Sequence, residues 1–227
     1  MAIMWPDKML KPQAINVDLS HRSLRGPSAA SGFTQVVSNS AGIWKVTFSQ
    51  VPVTNPAKVR LWRMIDAQSQ GMLNPISIPI YEEGRNLFAM NSTGTNIHRN
   101  NVLHADQTYF NDGTTYLSGF MSASAQNAQN VGRTGLQITK HADFTLVPGL
   151  RFSINDKLYQ IASVSSQSSN FATVQIYPPL REAVQKGERI EFDHPRIRVR
   201  LASDNEMRLT LSANQMSFPT INFIEDL

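Results

Sequence analysis

The sequence predicts a mainly β protein: antiparallel β-barrel or sandwich domains with one amphipathic helix and long extended loops. Three observations carry that expectation. Short runs alternating apolar and polar residues recur along the 227-residue chain. Only one segment has helical periodicity with both a start and a stop signal. The stretch 82–131 has neither period and is rich in Asn, Thr, Ser, Gly and Gln.

In chain order, Ile15, Val17 and Leu19 alternate with Asn16 and Asp18, which predicts a half-buried strand over 14–19. Runs 32–38 and 42–51 follow, the second carrying Ile43, Trp44, Val46 and Phe48, and Ser38-Asn39-Ser40-Ala41-Gly42 reads as the turn between them. The helix is expected over 56–70. Asn55 supplies an N-cap, Pro56 suits the first helical position, and Val59, Leu61, Trp62 and Ile65 make the apolar stripe. Gly71 is expected to end it in a left-handed conformation. Ile76, Ile78 and Ile80 then recur at every second position, and Pro75 and Pro79 argue for an edge strand or an extended arm.

Further strands are expected at 136–144, 150–154, 157–164, 172–177, 189–192, 197–201 and 207–211, with a tight turn at Asn155-Asp156. Seven short strands with turns between them suit an antiparallel barrel or sandwich. The expected division is therefore a β-rich region 1–134, holding the helix and the polar loop 82–131, and a barrel-like region 135–227. A loop as long as 82–131 is unusual in a compact domain, and implies either a functional excursion or a segment ordered by a neighbouring subunit.

Composition narrows the function. With no Cys, disulfide scaffolds, thiol nucleophiles, iron–sulfur clusters and Cys-ligated zinc are excluded. Charged residues make up 17% of the chain, against about 25% in an average globular protein, and the net charge is +4. Such a weakly charged polar surface suits subunits buried against copies of themselves. The N-terminus lacks the pattern of a signal peptide, and no apolar run reaches the length of a membrane span. A cytoplasmic protein, or one exported within a larger particle, is expected.

Catalytic motifs are missing. His98, His104, Asp106 and Asp112 are close in sequence but lack a metal-ligand spacing, and loop histidines beside aspartates are ordinarily solvated. Ser203-Asp204-Asn205 resembles one element of the penicillin-recognising serine enzymes; with no Ser-x-x-Lys or Lys-Thr-Gly it reads as a polar turn. No catalytic, cofactor-binding or metal site is assigned. Arg196, Arg198 and Arg200 line one face of a strand whose other face is Ile197, Val199 and Leu201. This ladder could meet phosphates, or acids across the sheet such as Glu188, Glu191 and Asp193, and the acids are favoured.

Two segments resemble minor tail proteins of tailed bacteriophages. One is Leu103-His-Ala-Asp-Gln-Thr-Tyr-Phe-Asn-Asp-Gly-Thr-Thr-Tyr116, followed by Leu117-Ser118-Gly119. The other is Pro148-Gly-Leu-Arg-Phe-Ser-Ile-Asn-Asp-Lys-Leu-Tyr-Gln-Ile-Ala-Ser-Val164, continued by Val174-Gln-Ile-Tyr-Pro-Pro-Leu-Arg-Glu-Ala-Val184, Gly187 and Ile190-Glu-Phe-Asp193. The resemblance implies a non-enzymatic subunit of a distal-tail ring, usually a hexamer. It would join the tail tube protein to the baseplate hub protein in the virion after assembly in the host cytoplasm, with DNA only passing through the lumen and no membrane contact. Candidate subunit contacts are Arg196, Arg198, Arg200, Ile76, Ile78, Ile80, Tyr109, Phe110 and Tyr116. The alternatives are a head–tail connector or tail-terminator ring subunit, and a tail module that binds carbohydrate or another receptor.

Overall fold

The structure, a computed structural model, describes residues 2–21, 23–28, 32, 34–38, 42–81, 101–102, 116–117, 121–142, 144–212 and 216–227. In chain order the first half holds β1 (Ile3–Met4), β2 (Ala14–Ser20), β3 (Ser23–Ser28), β4 (Thr34–Ser38), β5 (Ile43–Ser49), α1 (Pro56–Ser69) and β6 (Ile76–Pro79). Two short strands follow, β7 (Asn101–Val102) and β8 (Tyr116–Leu117), which pair with each other. Then come β9 (Ser122–Ala125), β10 (Gly135–Lys140), β11 (Arg151–Ile154), β12 (Lys157–Gln167), β13 (Phe171–Tyr177), β14 (Arg189–Glu191), β15 (Arg196–Leu201) and β16 (Ile221–Glu225). The protein is mainly β, and α1 is the single helix among the described residues.

The chain forms two compact units. One joins Met1–Ile80 to Arg196–Leu227, and the other is Tyr81–Pro195. The expected division at 134/135 is thus replaced by an insertion. Strand pairing is the reason. β15 pairs with β6 and β16 rather than with the barrel strands, while β9, upstream of 134, closes the barrel against β10 and β14. The inserted unit leaves and re-enters the first through neighbouring antiparallel strands, Pro79 lying opposite Arg196.

The discontinuous unit is built on a six-stranded sheet ordered β1-β6-β15-β16-β5-β2. Alternation decides its faces. Ile197, Val199, Leu201, Phe223, Val46, Phe48 and Val17 are buried on one side, where α1 supplies Val59, Trp62 and Ile65. Trp5 fills the centre, with edge-on ring contacts to Phe48 at 5.5 Å, Phe223 at 5.9 Å and Trp62 at 6.4 Å between centroids. The helix starts as expected, the Asn55 side chain accepting from Lys58 N at 2.8 Å. Its left-handed end begins one residue early, at Gln70 (φ 50), and continues through Gly71 (φ 65). A Cβ on Gly71 would lie 2.4 Å from Asp204 Oδ1. That carboxylate accepts Met72 N at 3.1 Å, so Gly71 serves close approach as well as the turn.

β6 departs from expectation. It is not an edge: β1 lies parallel on one side and β15 antiparallel on the other. Its prolines are compatible with this because they fall at the margins, Pro75 before the strand and Pro79 at its last position, beyond the two residues that β1 covers. Among the described residues the edges of this sheet are β1 and the seven-residue β2.

Tyr81–Pro195 contains a closed barrel ordered β10-β13-β12-β11-β14-β9. Its core includes Phe144, Phe152, Tyr159 and Phe192. Asn155 (φ 50) and Asp156 (φ 59) make the left-handed two-residue turn between β11 and β12. The strand expected at 207–211 is absent; this segment is loop, with Met207 buried and its carbonyl accepting Trp62 Nε1 at 2.7 Å.

Candidate functional site on the helix-free face

The sheet of the discontinuous unit carries α1 on one face only. Its other face can be read from the register, since residues directly opposite each other share a side. One row runs Met4, Ser77, Arg198. The next runs Arg200, Ile224, Lys45, Asp18. A third runs Asn222, Thr47, Asn16, closed by a hydrogen bond from Thr47 Oγ1 to Asn222 Oδ1 at 2.9 Å. This is a wet, polar face backed by a dry one.

The arginine ladder lies at its centre, and its partners are local. Arg196 donates from Nε to Ser77 Oγ at 3.0 Å and from Nη2 to the Ser77 carbonyl at 2.9 Å. Arg198 Nε and Arg200 Nε each lie 2.6 Å from a different oxygen of Asp226. Arg200 Nη1 also donates to the carbonyl oxygens of Met72 and Leu73. The Asp226 backbone N–H in turn donates to the Arg198 carbonyl at 3.0 Å, which fixes the carboxylate under the two guanidinium groups. Burial by itself raises the Asp226 pKa. The hydrogen bond from Arg200 and the charges of Arg198 and Arg200 outweigh that and hold it below the ordinary aspartate value.

Acid pairing across the sheet therefore occurs, with a different acid. Glu191 instead holds Arg189 at 2.5 Å and accepts from His194 N, and Asp193 Oδ2 faces Met121 N at 3.4 Å, all within the barrel unit. Asp226 sits far along the chain on the far side of a 19-residue connection (202–220), and adjacency in sequence gave it no weight. The period-two pattern of β16 could have suggested it, because Asn222, Ile224 and Asp226 fall on one side.

Of the other candidates, Ile76, Ile78 and Ile80 are 0%, 0% and 1% exposed, consumed by the protein's own core. None of the three is available to a neighbouring subunit, which corrects that expectation. Tyr116 begins β8, opposite Val102. Tyr109 and Phe110 lie outside the described residues, as do His98, His104, Asp106 and Asp112. Ser203-Asp204-Asn205 turns out to anchor a loop: Ser203 Oγ bonds Glu206 Oε1 at 3.1 Å, while Glu206 Oε2 accepts from Asn222 N and Nδ2. Among the described residues no cluster of three or more His, Asp or Glu could hold a metal, and no helix is long and apolar enough to cross a membrane. Compared with protein-family models and with curated proteins, the chain matches none.

Proposed function

We propose that this chain is a non-enzymatic structural subunit of a bacteriophage tail, one copy in a ring at the distal tail that joins the tail tube to the tail-tip hub. The observation that supports the ring reading is β2, at the end of the strand order among the described residues, seven residues long and regular in pairing along its whole length with β5. It contains no proline and one charge, Asp18. An edge of that length is a template for another strand. The opposite edge, β1, covers only Ile76 and Ser77 of β6. Two unlike edges on one sheet favour head-to-tail addition, the kind of contact that closes into rings. The resemblance of the segments ending at Tyr116 and Val164 to phage minor tail proteins supplies the tail setting.

Proline scanning of Ala14–Ser20 with negative-stain microscopy tests this reading. Prolines at positions whose N–H points away from β5 should leave a folded monomer and remove rings, whereas those facing β5 should damage the fold. A wild-type chain that stays monomeric at high concentration sinks the reading. The alternative, a receptor-binding module, has one observation in its favour: Phe171 is 48% exposed beside a cleft lined by Ser166, Gln167, Ser168 and Thr173.

A further inference from the structure

We propose that the helix-free face of the six-stranded sheet is a contact surface for a phosphate polyanion, and that Asp226 keeps this contact weak by holding Arg198 and Arg200 against the sheet. The cations are laid out in lines. Arg196, Arg198 and Arg200 project from one strand at intervals of about 6.8 Å, two residues at roughly 3.4 Å each. Lys45 extends the Arg200 row across the sheet. Evenly spaced guanidinium groups on one face suit a ligand with evenly repeated charge, and a guanidinium fork suits phosphate oxygens; Arg196 and Arg200 each also spend one Nη on backbone carbonyls of the fold.

The same cations are answered from within the fold. Asp226 serves two arginines, and Asp18 lies directly opposite Lys45. Depth separates the two signs: the Asp226 side chain is 7% exposed, against 42% and 39% for Arg198 and Arg200. A polyanion reaching the face touches cations first, while the buried carboxylate lowers the pull. The unit that bears this face holds twelve Lys and Arg against seven Asp and Glu, a net +5; Tyr81–Pro195 holds nine against ten, a net −1. Positive charge is therefore concentrated in the unit with the open face. This proposal concerns the face of one subunit and stands whether or not copies form rings.

The test uses the full-length chain and random-sequence duplex DNA, with binding followed by fluorescence anisotropy from about 20 to 200 mM salt. The wild type should bind weakly, with a log–log salt slope near −1 to −2, one or two phosphates neutralised. Asp226→Asn should raise low-salt affinity about tenfold and steepen the slope by about one unit. Arg198→Gln with Arg200→Gln should abolish binding in both backgrounds. Thr47→Lys adds a cation to the same face without touching Asp226, so it serves where Asp226→Asn unfolds, and it too should strengthen binding. Unchanged affinity in folded Asp226→Asn, or in Thr47→Lys, overturns the proposal. So does poly-L-glutamate competing as well as DNA at equal charge, which would assign the face to an acidic protein.

Discussion

Within Tyr81–Pro195 each barrel strand has a neighbour on both sides, because β9 pairs with β10 on one side and β14 on the other. The sheet built from Met1–Ile80 and Arg196–Leu227 instead stops at β1 and β2 and is covered on one face. Closure gives every barrel strand a pairing partner within the unit. An open sheet leaves a row of donors and acceptors that water or another chain must meet. Charge divides the same way, with +5 on the open unit and −1 on the closed one. Among the described residues, one unit closes its sheet on itself, and the other ends in edge strands and carries a charged face.

The hardest test of that contrast is excision. Because Pro79 and Arg196 lie opposite each other, replacing Tyr81–Pro195 by a short Gly-containing turn should convert β6 and β15 into a hairpin. The remaining unit should keep its helix and its ability to assemble, and the excised barrel should fold alone as a monomer. Circular dichroism and size-exclusion chromatography read both outcomes. Collapse of both fragments would show that the two units are one cooperative structure.

Core truncations sharpen the comparison at smaller scale. Trp62→Ala removes a ring from the Trp5, Phe48 and Phe223 cluster and strands the Met207 carbonyl, at a cost of about 3–5 kcal/mol. Phe192→Ala removes a ring packed on Phe144 at 5.9 Å and Phe152 at 5.1 Å, with a cost of the same order. In calorimetry each substitution should lower one of two transitions and leave the other in place. A shift of both by either variant would break the contrast.

Much of the barrel was legible from local signals. Asn155-Asp156 announced its turn, with the strands expected at 150–154 and 157–164 pairing on either side of it, because hairpin neighbours are close in sequence. The helix was legible from Asn55, Pro56 and its stripe. The open unit was harder to read, since its defining pairs join distant residues: Ile78 to Ile197, and Val46 to Phe223. Period two marks Ile76, Ile78 and Ile80 as one face of a strand but does not say which neighbours that strand has, and the flanking prolines wrongly suggested an edge. The arginine ladder was visible by the same period, whereas its partner Asp226 was hidden by the loop between β15 and β16.

A pH series gives the finest test, because it isolates one ion cluster in the open unit. The folded-state pKa of Asp226 is depressed, so its contribution to stability is present above the unfolded aspartate pKa of about 3.9 and is lost as pH falls through the lower folded value. Arg198 and Arg200 are partly exposed, which keeps the cluster to about 1–2 kcal/mol. Asp226→Asn should therefore lower the open unit's transition at pH 7 by a few degrees and leave the barrel transition where it is. As pH drops below about 4, wild type and variant should converge, because the protonated aspartic acid then resembles the amide. A gap that stays constant from pH 7 to pH 2.5 would mean that Asp226 acts through shape and hydrogen bonding, with its charge contributing little to the open unit.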